Sequence, residues 1–248
     1  MAIKIDKLKP KAPGLGRHVE HDSRSRNFAF TAAPPTKQVD VFWSDSAPVL
    51  NQGDLGGCVG WTGADILNTD IFIPLRRAKN NAKTYTDKEA LRFYELATSK
   101  DDISGSYPPN DTGSSGLGLA KALQSLGLID RYSHCFTWGQ FLAAIQTQPV
   151  ALGTLWTNTM SQPDRYGVVR VGSLSEDNIA GGHEYMCRGI SFTKSMVLCR
   201  NHWGPTWSPK KSGGKLPGEF WLPFSDLQEL LSSKNQGDVT VLHGTGLP

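Results

Sequence analysis

The chain has 248 residues, of which 38% are hydrophobic and 20% charged, and its net charge is +3. This length allows a sizeable core in one large domain or two small ones and excludes a disulfide-dense miniprotein, while the apolar and aromatic content excludes a disordered chain. The small positive excess does not favour nucleic acid as a partner, and no apolar run approaches the roughly 18–20 residues of a membrane span. We therefore expect a globular protein with no nucleic-acid or membrane partner.

Residues 1–40 carry eight basic and four acidic residues and show little apolar periodicity. They predict an extended basic arm with little regular structure, lying on the domain or on a partner. The arm is most simply solvated, and if it has a function we expect docking onto a partner protein in an assembly. Because the N-terminus has alternating lysines rather than an apolar signal-peptide core, we expect a cytoplasmic protein, or a virion-associated one if the chain is phage-encoded.

Helical patterns and caps follow, up to about residue 148. They predict a helix from Cys58 to about Asn68, a second beginning with Asp87 as its N-cap, a third over Leu119–Leu126 and a short fourth over Trp138–Gln146, with a loop at Gly105–Gly118. Strand-like runs then occupy Val150–Trp156, Tyr166–Val171, His183–Phe192, Met196–Asn201, Glu219–Leu222 and Val239–Leu242. Helices first and strands later predict an α+β protein, either as two subdomains with a cleft between them or as one layered domain.

One cysteine has a setting suited to nucleophilic chemistry. Cys58 follows the Gly-rich run that begins at Gln52, and the predicted helix begins at this cysteine. A helix N-terminus favours a thiolate, and the thiolate is the nucleophile. Taken alone, a cysteine that follows such glycines is more often structural. The four cysteines have no close Cys-x-x-Cys pairing, so neither zinc nor a redox dithiol is indicated, and we expect no metal or other cofactor.

A thiol nucleophile needs a base and a group that orients the base. His183 follows the pair Gly181-Gly182 where a strand is predicted to open, which predicts an accessible imidazole. Asn201 ends the next predicted strand and can accept the imidazole N–H, and Trp203 can shield that bond from water. The separations along the chain from Cys58 to His183 and to Asn201 are close to the roughly 130–150 residues that are typical of such cysteine, histidine and asparagine sets.

These residues and their neighbours together resemble the papain-like cysteine peptidases. The resemblance rests on Gln52 to Cys58, on Gly182-His183, and on the run from Arg200 to Trp207, with Pro149-Val150-Ala151 and Gly218-Glu219-Phe220-Trp221 in support. It covers about Val49 to Phe224. The segment His21–Phe28 resembles the lead-in of prokaryotic and phage relatives.

The resemblance implies a fold of two subdomains with the active-site cleft between them. Residues 41–148 would be a mainly helical half carrying Cys58, and residues 149–248 a mainly β, barrel-like half carrying His183 and Asn201. Cys58 would be the nucleophile, His183 the general base and later the acid, and Asn201 the group that holds the imidazole. The Gln52 side chain and the Cys58 backbone N–H would form the oxyanion hole.

The same resemblance implies weaker placements for the substrate. Gly116 would lie near the edge that binds the substrate backbone, and Gly153 and Glu184 near the pocket for the second substrate residue, with Trp203 also at the substrate side. Glu184 either selects basic side chains of the substrate or is an exposed charge beside the cleft. His202 replaces the serine that usually follows the asparagine, and we expect its side chain to point away from the cleft.

Other departures from the family concern the nucleophile and its control. Val59 stands where a tryptophan usually follows the nucleophile, and Leu55 replaces a cysteine, so that the family's disulfide there is absent. Since only 57 residues precede Cys58, we expect no long inhibitory propeptide like that of eukaryotic relatives, and we expect latency to come from elsewhere.

Three functions are compatible with these residues. The first is a thiol-dependent peptidase that acts on protein or peptide substrates through an acyl-enzyme. The second is an amide hydrolase acting on peptidoglycan stem peptides. The third is a catalytically idle structural component of a virion or other assembly, which the intact cysteine, histidine, asparagine and glutamine set disfavours.

Overall fold

The structure is a computed structural model that describes residues 10–20, 22–33, 37–78, 83–208 and 216–244. The basic residues Lys4, Lys7 and Lys9 of the predicted arm, and His21 of the predicted lead-in, lie outside this part of the chain. The first half of the chain is mainly helical. Its helices are α1 (Cys58–Asn68), α2 (Ile73–Ala78), α3 (Asp87–Thr98), α4 (Gly116–Ser125) and α5 (Trp138–Ile145).

Helix α1 is the central element of the helical half, and every one of its residues is buried. Its two glycines allow other helices to approach closely. A Cβ on Gly60 would overlap the Ala90 carbonyl oxygen of α3, and a Cβ on Gly63 would lie 2.7 Å from the Leu119 side chain of α4. The helix has the predicted bounds, because the glycines that lower its intrinsic propensity are compensated by this tertiary packing.

The starts of the next two helices differ slightly from the prediction. Helix α3 begins at Asp87, but its N-cap is Thr86, which forms a capping box with Glu89. Helix α4 begins at Gly116 rather than at Leu119, because the Ser115 side chain caps it by accepting from the Gly118 N–H. The predicted loop therefore ends earlier than expected, where a serine N-cap outweighs the low helix propensity of two glycines.

An antiparallel sheet forms most of the second half. Its strands are β1 (Val41–Phe42), β2 (Arg131–His134), β3 (Val150–Thr157), β4 (Ile179–Ser191), β5 (Met196–Arg200), β6 (Glu219–Pro223) and β7 (Asp238–His243). The order is β2-β7-β3-β4-β5-β6, with β1 paired to β4. Since β2 and β6 stand at the two ends of this order, the sheet of the described strands is open, and the expected barrel-like closure is absent from it.

The strand prediction was right for most of the sheet and wrong at several places. Tyr166–Val171 is not a strand, and only Val168 makes an isolated bridge, to Trp221 of β6. Strand β4 begins at Ile179, so His183 lies inside the strand rather than at its start. The short strands β1 and β2 and the helices α2 and α6 (Phe224–Leu230) were not predicted.

Two hydrophobic cores correspond to the two halves. One lies in the sheet half and includes Trp156, Tyr185 and Phe220. The other surrounds α1 and includes Trp61, Tyr94 and Leu119. The α+β prediction with a helical half before a β-rich half is confirmed, and the cleft between the two cores is the place to look for a site.

The N-terminal arm packs against this same chain. Residues 10–18 run along the cleft, and Ser23–Phe28 form a short 3-10 helix that Asp22 caps. The expectation of a solvated arm is wrong for residues 10–18, because main-chain hydrogen bonds join them to both halves. In the described ranges, no helix is long and apolar enough to cross a membrane, and no group of three histidine, cysteine or acidic residues is placed to hold a metal.

Candidate active site

Cys58 is the first residue of α1, and the loop before it is firmly held. The Gly56 N–H donates to Asp111 Oδ2 at 2.8 Å, and the Tyr94 hydroxyl donates to Asp111 Oδ1 at 2.5 Å. The same hydroxyl accepts from the Gly113 N–H at 2.9 Å. Asp111 and Tyr94 thus fix the backbone that carries the thiol to the helix N-terminus.

His183 and Asn201 are brought together by neighbouring strands. His183 lies in β4, and Asn201 follows directly after β5, which pairs with β4. The distance from His183 Nε2 to Asn201 Oδ1 is 2.9 Å, and the Asn201 oxygen also accepts from the His202 N–H. The other ring nitrogen, Nδ1, has no hydrogen-bond partner among the described residues. This arrangement gives the imidazole a fixed orientation and leaves one nitrogen for proton transfer.

Aromatic rings cover the pair formed by His183 and Asn201. The Trp203 ring centroid lies 4.9 Å from that of His183, and Trp156 lies at the same distance with its ring nearly perpendicular. Asn201 and His183 are fully buried. The predicted shielding role of Trp203 therefore fits its place in the structure, because a ring at this position keeps water from the hydrogen bond.

His202 does not point away from the site. Its side chain is fully buried, and its ring centroid is 5.2 Å from that of His183. Burial, together with the neighbouring His183 and Arg200, holds the pKa of His202 well below its usual range. The ring is therefore neutral and acts as packing beside the imidazole of His183.

Gln52 lies on the loop that precedes α1. Its side-chain nitrogen donates to the Leu55 carbonyl at 2.6 Å, and its backbone N–H donates to the His202 carbonyl at 2.9 Å. These contacts tie the glutamine both to the cysteine loop and to the segment after Asn201. One of its two amide hydrogens is engaged by Leu55, and the second is available for an oxyanion. Its role in an oxyanion hole stays a prediction.

The protonation states in this conformation differ from those predicted. Burial raises the pKa of the Cys58 thiol to about 12, and the Glu184 carboxyl adds to the rise. Burial also lowers the pKa of His183 to about 4, although its bond to Asn201 opposes the shift. Both groups are neutral at pH 7, because the loss of water outweighs the helix N-terminus. The predicted thiolate and the predicted accessible imidazole are therefore absent from this closed form.

The segment of residues 10–18, which we call the cleft segment, lies across this site and contributes to the burial. Its backbone N–H groups donate to both sides of the cleft: Lys11 to the Ala180 carbonyl at 2.8 Å, Gly14 to the Asp54 carbonyl at 3.2 Å, Arg17 to the Gly182 carbonyl at 3.1 Å and His18 to the Ser114 carbonyl at 2.7 Å. Ser114 in turn donates to the Gly16 carbonyl at 2.9 Å. The cleft segment is therefore the candidate source of the latency that was expected to come from something other than a long propeptide.

Gly16 is the residue of the cleft segment that faces the thiol. A Cβ at this position would overlap the Gly56 carbonyl, two residues before Cys58. The Gly16 N–H is among the groups that lower the pKa of the thiol. The segment therefore presents an N–H to the sulfur, whereas nucleophilic attack requires a carbonyl carbon there.

The residues assigned to the substrate side lie together in a pocket beside the thiol. A Cβ on Gly153 would lie 2.6 Å from Glu184 Oε2, and a Cβ on Gly116 would lie 2.8 Å from Glu184 Oε1. Glu184 is fully buried, so the alternative of an exposed charge is wrong. The Arg17 side chain fills this pocket and pairs with Asp238. Trp203 lines a different cavity, of about 340 Å³, together with Ala12 and Trp156.

Four residues at the site were missed from the sequence: Tyr94, Asp111, Arg17 and Asp238. The first two lie on α3 and on the following loop and carry no local motif. Arg17 and Asp238 are 221 residues apart, so no local spacing could have paired them. The sequence contains one signal for a basic side chain in this pocket. The arm is basic, and one of the two roles expected for Glu184 is to select basic side chains.

Comparison with solved structures gives matches along nearly the whole chain. Xylellain, a cysteine protease from Xylella fastidiosa, matches with a TM-score of 0.68 and 15% identity over 96% of this chain and 98% of its own. Procathepsin L2 proteinase from Tenebrio molitor larval midgut matches with a TM-score of 0.59 and 13% identity, over 94% of this chain and 78% of that one. The chain has the papain-like fold.

A third solved structure with this papain-like fold is the recombinant stem bromelain precursor, with a TM-score of 0.55 and 12% identity over 96% of this chain and 78% of that one. No protein-family model matches the sequence, and no curated protein matches it. At 10–15% identity the likeness shows the fold. The chemistry of the site depends on the residues of this chain.

Proposed function

We propose that the protein is a thiol-dependent peptidase whose resting form is closed by its own cleft segment. The observation that carries this proposal is the bond from His183 to Asn201, at 2.9 Å, in the cleft that holds Cys58 at the start of α1. One ring nitrogen is held by the asparagine, and the other is free of hydrogen bonds to the described residues. A base held in this way can take a proton from the thiol once its free nitrogen comes within hydrogen-bond reach of Cys58.

The chemistry requires the cleft segment to leave. Once it has left, water and substrate reach Cys58 and His183, and the desolvation that keeps both groups neutral is relieved. The helix N-terminus then favours the thiolate, and His183 takes the thiol proton. Attack on an amide carbonyl gives an oxyanion, to which we assign the Cys58 N–H and the Gln52 amide as donors.

Collapse of this intermediate breaks the amide bond and forms an acyl-enzyme on Cys58. The proton held by His183 passes to the leaving amine. A water molecule, activated by the same imidazole, then hydrolyses the thioester and regenerates the thiol. The bond to Asn201 keeps the imidazole in one orientation through both transfers.

The proposal is tested by hydrolysis of fluorescently labelled casein. The variant Gly16→Ala serves as the opened background, since a methyl at position 16 overlaps the Gly56 carbonyl. We expect Gly16→Ala to release labelled peptides and the double variant Gly16→Ala/Cys58→Ala to release none. The matched control Gly16→Ala/Cys135→Ala removes a different buried thiol and should retain activity.

Two results would contradict the peptidase. Hydrolysis that persists without Cys58 would mean that this thiol is not the nucleophile. An opened chain whose Cys58 is alkylated by a small epoxide, but which cleaves no protein or peptide, would favour the idle structural component or the amide hydrolase of peptidoglycan stem peptides.

A further inference from the structure

The side chain of Arg17 lies in a pocket built from distant parts of the chain. Its side chain is 0% exposed, and one guanidinium nitrogen donates to the Gln236 carbonyl at 2.8 Å and pairs with the Asp238 carboxylate. Gly116, Gly153 and Glu184 complete the walls. We call these five wall residues the arginine pocket.

The shape of the arginine pocket depends on two positions that lack side chains. A Cβ on Gly153 would lie 2.7 Å from Arg17 Nε and 2.6 Å from both Asp238 Oδ1 and Glu184 Oε2. A Cβ on Gly116 would lie 2.8 Å from Glu184 Oε1. Any larger residue would displace the guanidinium or the carboxyl groups. The two glycines therefore leave a space that a flat, branched cation fills.

The arginine pocket has more acceptors than Arg17 uses. Both carboxyl oxygens of Glu184 and Oδ1 of Asp238 accept no hydrogen bond from the described residues, and Nε and Nη1 of Arg17 donate none to them. Burial raises the pKa of Glu184 well above its usual range, Asp238 raises it further, and Arg17 opposes the rise. When Arg17 leaves, the half-buried Asp238 carboxylate loses its partner beside the buried Glu184 carboxyl, so the empty pocket favours a cation.

The position of the arginine pocket relative to the thiol is fixed by the backbone. Arg17 directly follows Gly16, which faces Cys58, and its own N–H bonds to the Gly182 carbonyl, next to His183. A peptide that replaces the cleft segment would thus place one side chain in the pocket while its backbone passes the sulfur. The guanidinium of Arg17 occupies the place of such a side chain.

We infer that the arginine pocket is a specificity site that takes an arginine side chain of the substrate after the cleft segment has left, an inference that rests on the proposed peptidase function. A guanidinium presents several N–H donors in a plane, which suits two carboxyl groups and a carbonyl better than a single ammonium does. Asp238 is 34% exposed and lines a cavity of about 820 Å³, so the pocket is reachable from solvent.

The first test measures recognition without catalysis. The variant Arg17→Ala lacks the side-chain atoms beyond Cβ, and ethylguanidine supplies these atoms as a free molecule. N-ethylurea is a neutral molecule of similar shape to ethylguanidine. At ten times its Kd, we expect ethylguanidine to raise the Tm of Arg17→Ala by about 3–6 °C, and N-ethylurea to have little effect. The wild-type chain, whose pocket is filled, and the variant Arg17→Ala/Asp238→Asn should not respond to ethylguanidine.

The second test measures substrate choice and leaves the pocket intact. In Gly16→Ala, peptide pairs that differ only by arginine or citrulline are compared by kcat/KM, with arginine scanned along the sequence. At one position we expect citrulline to lower kcat/KM by about 10–100-fold, the scale of lost hydrogen bonds to a charged group. Gly16→Ala/Asp238→Asn should lose most of this preference while still cleaving the citrulline peptide.

The two tests separate the pocket from the peptidase. Equal cleavage of arginine and citrulline peptides at every position, or equal effects of ethylguanidine and N-ethylurea, would overturn the specificity site and leave the peptidase standing. Stabilisation by ethylguanidine without cleavage of any peptide would refute the peptidase, while the recognition of a guanidinium by this pocket would remain supported.

Discussion

The closed cleft predicts that one methyl group at position 16 will speed the modification of Cys58. Gly16 lies against the backbone of Gly56, where an added Cβ would overlap the carbonyl oxygen and crowd the carbonyl carbon and the Cα at 2.5 and 2.6 Å. Backbone atoms cannot turn aside as a flexible side chain can. Alanine at this position should therefore weaken the docking of the cleft segment, including that of Leu15, which packs into the core of the sheet half.

The size of the effect follows from two opposing contributions. Overpacking against a fixed backbone costs the docked state up to about 3 kcal/mol. Alanine also restricts the undocked segment, which favours docking by about 0.4–1 kcal/mol. The net loss of about 2 kcal/mol raises the open fraction about 30-fold. If modification occurs only in the open form, the rate of Cys58 modification in Gly16→Ala should rise by the same factor, about 30-fold.

The assay is alkylation by a small epoxide at neutral pH, followed by mass mapping of each thiol. Cys135, Cys187 and Cys199 are buried and report on global opening in the same sample. Lys11→Ala is the matched control, because it lies in the same segment and loses only an exposed bond to the Glu176 carbonyl. Its effect should stay within about 0.5 kcal/mol, or about twofold in rate.

Either of two outcomes would refute this reasoning. If Cys58 reacts at the wild-type rate in folded Gly16→Ala, the cleft segment does not limit access to the thiol. If all four cysteines accelerate together, the variant opens the whole fold, and the local steric argument is wrong.

Three further predictions concern groups around the thiol. Because the pKa of His183 is lowered from 6.5 to about 4, the unfolded chain takes up a proton there that the folded chain does not. Stability should therefore fall as the pH drops from about 6.5 towards 4, and the urea midpoint of His183→Gln should fall less over this range. Asn201→Ala removes the acceptor for the imidazole and should lower kcat in the opened chain by about 10–100-fold, with a smaller change in KM. Tyr94→Phe removes the acceptor of the Gly113 N–H and should cost about 1–3 kcal/mol in the free energy of unfolding, measured by urea denaturation.

The sequence predicted those features whose signals are local. The start of α1 at Cys58 and the place of Asn201 after β5 follow from short patterns of glycine, apolar residues and caps, and both are seen in the structure. Tyr166–Val171 has the composition of a strand, but its neighbours along the sheet give it only the bridge at Val168. Strand propensity reflects how well a residue suits a pleated surface. A strand also needs a neighbouring strand with which to pair, and propensity does not predict that neighbour.

The protonation state of the site could not be predicted in the same way. A cysteine at a helix N-terminus has a lowered pKa when it is solvated, and the sequence contains that helix and that cysteine. What reverses the shift is burial of the sulfur, to which the cleft segment, about 40 residues upstream, contributes by lying across the site. Desolvation depends on everything packed against a group, so it becomes visible only when the fold has brought the segment to the cleft.

The composition of the cleft segment led to the wrong prediction of a solvated arm, and the reason is physical. Its glycines look like signs of flexibility, yet Gly14 has φ +74° with Trp203 Nε1 only 2.8 Å from where its Cβ would lie, and Gly16 fits against Gly56. An extended chain that lies in a cleft needs neither helical nor alternating apolar periodicity, because its contacts are made by backbone N–H groups and by single anchors such as Leu15 and Arg17. Small residues there give the close approach that buries the thiol. The same features that resemble a linker in the sequence are therefore those that a segment needs in order to close this site.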